Sequence, residues 1–317
     1  MKSNSYNRWY TLLKWLFSLV SLGYFIYLIQ SHDWYDTFIP LFISAWNKFA
    51  IYFILVFFMV FLNWNFEAQK FKLLLNSQRW SDRYLFFTVL GGMAISNFTP
   101  ARSGEYIGRS LLLKKTSPLK IVIATVTGNI AQVIMTYGLG LMCLCIIFLF
   151  FDWYDAWFNT AYLIGVIFIF FALVSVTFYS KKIVAYINRF LPNKLHTLIK
   201  LMKHYERKRF GKVILLSFLR YLVFSSQLFM LLQVFSDFSL PTYTLFLVPV
   251  AFLLQTIVPI PAVSDIGVRV AVCSMLFEGF ITETVIFQSV TFIWAINLII
   301  PGILGSFFLL ISNFIND

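Results

Sequence analysis

The chain has 317 residues, of which 60% are hydrophobic, 12% are charged and 38 are phenylalanine, with a formal net charge of +12. Such a composition excludes a soluble domain of useful size and describes a polytopic helical membrane protein. The three cysteines, Cys143, Cys145 and Cys273, sit in apolar runs, odd in number and without zinc spacing, which excludes a disulfide framework.

Lys2, Arg8 and Lys14 precede a first apolar run that no small-residue cleavage site follows, so the chain is expected to open on an uncleaved span at about 15–30. Further full-length spans are predicted at about 49–66, 121–151, 160–179, 213–235 and 285–312, each near the roughly 20 residues a bilayer requires. Two other apolar runs, 84–100 and 244–261, are short, uncharged and closed by proline. At about 1.5 Å per residue they reach only about 25 Å, against a hydrocarbon core of about 30 Å. Each is followed by another short run that carries an acid and an arginine.

Charge decides whether those runs cross or turn back. With the N-terminus cytoplasmic, segments 1–16, 67–83, 101–120 and 180–212 hold 22 of the 25 Lys and Arg, the exceptions being Lys48, Arg220 and Arg269. A full crossing by 84–100 would put Arg102, Arg109, Lys114, Lys115 and Lys120 outside, against the positive-inside bias. The run is therefore read as re-entrant. The same walk places 236–243 and 279–284 outside, so the second short pair dips in from the opposite face. The expected fold is an all-α polytopic membrane protein with six full spans plus two oppositely oriented re-entrant hairpins. It forms one membrane domain over 1–317, an inverted repeat with halves of about 1–151 and 152–317. Both termini are expected on the cytoplasmic side of the inner (plasma) membrane.

The two hairpins carry the chemistry. One runs from Pro100 through Arg102, Gly104 and Glu105 to Arg109; the other runs from Pro259 and Pro261 through Asp265 and Gly267 to Arg269. In each, an acid precedes an arginine by four residues, one helical turn on the same face. Charges in such settings mark a substrate or ion path by default. The plainer reading is a pair of ion pairs that fasten the hairpins. Asn97, Thr99, Ser103, Ser264 and Gln255 either contact a headgroup or cap the broken helix ends, and for each alone capping is the readier role. Asn63, Asn65, Asn129 and Gln132 read as interhelical hydrogen-bonding residues.

Asn97, Pro100, Arg102, Gly104, Glu105 and Arg109 together resemble the signature of the lysylphosphatidylglycerol synthase transmembrane-region family, the flippase-like proteins. Pro259 and Pro261 with Gly267 and Arg269 resemble its second signature, a proline-rich turn followed by Gly-x-Arg. Several members carry a glutamate directly after that arginine; here the position is Val270, and the nearby acid, Asp265, lies one turn earlier. The resemblance implies a translocating membrane region without the soluble aminoacyl-transferase domain that follows it in members making aminoacylated lipids.

The expected activity is movement of a phospholipid or polyprenyl-phosphate lipid across the membrane, transport rather than bond chemistry. Arg102, Arg109 and Arg269 would bind the phosphate, since an arginine fork donates two parallel hydrogen bonds to it. Glu105 and Asp265 would hold the arginines when the cavity is empty. Two alternatives stand beside this. One is a membrane enzyme with Glu105 or Asp265 as general base, which needs further paired acids or histidines. The other is a partner that stabilises a separate synthase or glycosyltransferase. Segment 193–212 alternates apolar and basic residues, as a helix lying on an anionic membrane surface does, or as a basic retention loop does. No nucleotide loop, metal ligand set or nucleic-acid surface is legible, so no cofactor, metal or nucleic acid is expected.

Overall fold

The structure, a computed structural model, describes residues 39–76, 79–97, 99, 104–150, 207–257 and 265–315. These are helical throughout, with no strand among them. Among the described residues, four helices are long and apolar enough to cross a membrane: Phe42–Leu75, Pro118–Phe148, Lys208–Phe235 and Glu283–Ser312. They correspond to four of the six predicted spans. The spans expected at 15–30 and 160–179, and nearly all of the basic 180–212 loop, lie outside the described residues.

Helix α1 (Ile39–Leu75, 37 residues) leaves helical geometry once, at Phe49 with φ −132° and ψ 31°. At about 1.5 Å per residue it is about 55 Å long, well beyond a hydrocarbon core. It runs on past the predicted end at 66, so Glu67 and Lys70 lie in the packed interior and not in a cytoplasmic loop. Asn76 closes it at φ 47°, a left-handed turn that asparagine tolerates.

Ser81 then caps α2 (Asp82–Ser96) by accepting a hydrogen bond from the Tyr84 amide at 3.3 Å, the usual role of serine before a helix. The hydrogen bond from Lys72 to Asp82 holds that carboxyl below the ordinary carboxylate range. Helix α3 (Gly104–Leu112) folds back on α2. Glycines permit the crossing: a Cβ on Gly108 would lie 2.6 Å from the Gly91 carbonyl oxygen. Thr99 joins the two helix ends, its hydroxyl accepting from the Gly104 amide at 2.6 Å and donating to the Ser96 carbonyl at 3.2 Å. Helix α4 (Pro118–Phe150) follows, with proline in its first turn, where no helical N–H is needed.

The second set begins with α5 (Arg207–Phe235) and continues through a 3-10 turn (Thr242–Phe246) into α6 (Leu247–Ile257). Helix α7 (Asp265–Phe277) comes next, and α8 (Glu283–Trp294) passes through a π turn (Ala295–Ile299) into α9 (Ile300–Ile315).

Helices α1 and α5 are antiparallel, because partners descend along α5 as they ascend along α1. Lys48 pairs with Asp237 at 3.2 Å, the Phe53 and Phe235 rings meet at 5.8 Å, Gln227 donates to the Val56 carbonyl at 3.0 Å, and Arg220 donates to Asn63 at 2.9 Å. Helix α2 packs on α9, and α6 packs on α4. Lipid is as apolar as a leucine side chain, so close packing and interhelical hydrogen bonds must hold these contacts. Fully buried Phe53 accordingly lies against four rings, Phe42, Trp46, Phe235 and Phe292, at centroid distances of 5.0, 5.7, 5.8 and 5.5 Å. Aromatic pairs at such separations attract beyond their buried area.

Candidate functional site

Where α1, α3 and α5 meet, five ionised side chains form one cluster. Glu67 of α1 is its centre. Its Oε1 takes Arg109 Nη2 at 3.1 Å; its Oε2 takes Lys70 Nζ at 2.6 Å and Arg220 Nη1. The side chains of Lys70, Arg109 and Glu67 are 0%, 1% and 3% exposed. Among the described residues, three cations face two carboxylates, Glu67 and Glu105, and leave a surplus of one positive charge.

The first predicted acid and arginine pair is present as expected. Glu105 and Arg109, both on α3, form an ion pair one turn apart. Arg109 does more than the spacing foretold: Nη2 serves Glu67 and Glu105, and Nη1 donates to Thr125 Oγ1 at 3.2 Å. Its guanidinium lies 4.3 Å from the Phe71 ring centroid, and a Cβ on Gly92 would approach its Nε at 3.3 Å. Arg109 is therefore enclosed on both faces. Glu105, 12% exposed, is the more accessible partner, and its Oε2 accepts from Asn129 at 3.1 Å.

A neutral chain continues from the cluster. Asn63 accepts from Arg220 Nε and donates to Asn297 Oδ1 at 3.0 Å; Asn297 donates to Gln227 Oε1 at 3.3 Å and to the Ile293 carbonyl at 3.1 Å. Asn297 lies in the π turn, an irregularity that recurs at functional sites. Asn97, fully buried at the end of α2, donates to the Leu298 carbonyl in the same turn at 3.4 Å. Its Oδ1 is buried without a partner among the described residues.

The second motif is described in part. Asp265 is the first residue of α7, and Arg269 lies half-buried one turn on. Gln255, also buried, donates to Cys273 Sγ at 3.8 Å. A Cβ on Gly267 would meet nothing within 4 Å, whereas one on Gly104 would lie 2.6 Å from the Ile95 carbonyl oxygen. Gly104 is thus a steric necessity and Gly267 is not. Arg102, Pro100, Pro259, Pro261, Ser103, Ser264 and the Asp265 side chain lie outside the described residues.

Sequence reasoning missed Glu67, Lys70 and Arg220 as members of the site. Two signals were available: Arg220 stands alone in an apolar span, and Asn63, Glu67 and Lys70 recur at helical spacing.

A search of curated proteins finds no match to the chain. The family model described as the lysylphosphatidylglycerol synthase TM region matches residues 11–305, and with its apolar spans the chain belongs to that family as a multi-pass integral membrane protein.

Proposed function

We propose that the chain is a lipid translocase that carries the phosphate headgroup of a phospholipid or lipid-linked phosphate across the cytoplasmic membrane, between two hairpins entering from opposite faces. The observation that carries this is the cluster of five ionised groups around Glu67. Charges within membrane helices are costly and cluster on substrate paths. A staple needs one ion pair; this cluster holds more, and with a surplus positive charge that suits an anionic headgroup.

The inverted repeat is supported by register. One offset of 160 residues relates the last residues of α1 and α5 (75 and 235), the starts of the next helical segments (82 and 242), the acids (105 and 265) and the arginines (109 and 269). The spans so related, α1 and α5, run antiparallel, as opposite orientation requires. Transporters built from inverted repeats place their sites where the broken helices meet.

Within this reading, Arg109, being enclosed, positions Glu105 and the hairpin, while Arg102 and Arg269 contact the phosphate with Glu105 and Asp265 as their resting counter-ions. Lipid scrambling in proteoliposomes tests it, with wild type beside Arg102→Ala, Glu105→Gln and Arg269→Ala. Movement of fluorescent phospholipid by wild type, lost in folded variants, is the expected result. Wild type that moves none, or variants that move lipid equally well, would leave the acid and arginine pairs as staples and favour the stabilising-partner role.

A further inference from the structure

We infer that Arg220 is an anion-binding arm whose ligand is a singly charged phosphate group. The three cations around Glu67 are not equivalent. Lys70 and Arg109 are sealed at 0% and 1% exposure, while the Arg220 side chain is 17% exposed. Arg220 is also held ready. Nε donates to Asn63 Oδ1 at 2.9 Å, Nη1 rests on Glu67, and its Cζ lies 5.2 Å from the Trp64 ring centroid. Among the described residues no contact engages Nη2, so one prong of the fork is uncommitted.

Charge balance points the same way. Among the described residues Glu67 has three cationic partners and Glu105 has Arg109, so their surplus positive charge falls on the cation that is open. If Nη1 leaves Glu67 to join Nη2 on a phosphate, Glu67 keeps Lys70 at 2.6 Å and Arg109 at 3.1 Å. No carboxylate is stranded, and a phosphate monoanion brings the six groups to neutrality. Two parallel N–H groups match two phosphate oxygens, a geometry that lysine cannot offer. Asn63 and Trp64 hold the guanidinium through the exchange. Arg220 lies on α5 and reaches the first acid and arginine motif only through Glu67, and the inference rests on the translocase reading only for the lipid as the source of the phosphate.

Native mass spectrometry of the detergent-solubilised protein tests this, with phosphatidylglycerol as probe, diacylglycerol as the lipid without phosphate, and inorganic phosphate as competitor. Wild type is expected to retain phosphatidylglycerol about tenfold more tightly than diacylglycerol, as charge-assisted hydrogen bonds allow. Arg220→Gln is expected to abolish that preference, and Arg220→Lys, which keeps charge without the fork, to lose part of it. Phosphatidylglycerol displaced by millimolar phosphate identifies the free ion as sufficient; retention identifies the lipid. Wild type without the preference overturns the inference with no variant needed, and so does a folded Arg220 variant that binds as wild type does. Scrambling activity separates the two proposals. A protein that binds through Arg220 but moves no lipid defeats the translocase reading alone; one that moves lipid with binding indifferent to Arg220 defeats this inference alone.

Discussion

Gly140 and Gly305 each lie 22 residues past the first residue of the span that carries them, Pro118 and Glu283, and each receives a helix from the other set. A Cβ on Gly140 would lie 2.9 Å from the Pro249 carbonyl oxygen on α6; one on Gly305 would overlap the Leu90 carbonyl and lie 2.8 Å from the Gly91 amide on α2. Small residues that let backbones approach are the common device of membrane packing. Alanine at Gly305 meets backbone on both counts and is expected to cost upward of the 1–3 kcal/mol typical of overpacking, roughly. Gly140→Ala should cost less, since part of its contact is the Leu253 side chain. Gly267→Ala should be neutral or stabilising by up to about 1 kcal/mol, the helix preference for alanine. Thermal unfolding in detergent ranks the three, and Gly267→Ala ranking with Gly305→Ala would refute the packing account.

Among the described residues, Glu67 is the single carboxylate that joins α1 to both α3 and α5. Glu67→Gln leaves Lys70, Arg109 and Arg220 facing one acid, and stranding a buried charge costs about 3–5 kcal/mol. The double variant Glu67→Gln with Arg220→Gln removes one charge of each sign. It is therefore expected to be less destabilised than the sum of the two single variants, with a coupling of about 0.5–3 kcal/mol, the range for residues in one network. Unfolding midpoints of the four proteins supply the cycle. Strict additivity would mean that Arg220 and Glu67 do not interact.

How much of this was legible follows from what hydropathy measures. It located the long helices and the two short, proline-closed runs, because apolar length is a local property. The spacing of Glu105 and Arg109 announced their pair, and Thr99 caps as a threonine between helix ends should. Asn63 and Asn129 are interhelical hydrogen-bonding residues as expected, although their partners include Arg220 and Glu105, not only neutral groups. Hydropathy alone hides Glu67 and Lys70 for a physical reason. A hydropathy trace ends a span at its first charges, yet here charges of opposite sign, from helices far apart in sequence, compensate one another inside the packed bundle. Arg220 showed only as an exception to the charge bias, because its acid lies 153 positions away.

Asn297 is bound by Asn63 and binds Gln227 from within the π turn. Interhelical hydrogen bonds in membrane proteins average about 0.6 kcal/mol with a maximum near 1.7. Asn297→Ala is expected to cost roughly that sum for two bonds, about 1–3 kcal/mol, well below the cost of Glu67→Gln. If the two were equal by thermal unfolding, the neutral chain would share the burden assigned to the ionic one.

The exposed pair Lys48 and Asp237, 3.2 Å apart at the start of α1 and just beyond α5, tests the proposed orientation. Exposed ion pairs contribute only about 0–1 kcal/mol, so cysteine at either position should leave the fold intact. Both lie at the end of the bundle assigned to the outside, whereas Lys114 and Lys208 belong to segments assigned to the cytoplasm by the positive-inside bias. In intact cells, a membrane-impermeant maleimide is therefore expected to label Lys48→Cys and Asp237→Cys. Lys114→Cys and Lys208→Cys should react only after permeabilisation. The discriminating position is Lys114, which follows the first hairpin. Labelling of Lys114→Cys from outside would mean that α2 and α3 together complete a crossing, and the inverted repeat, with its two hairpins from opposite faces, would fail with it.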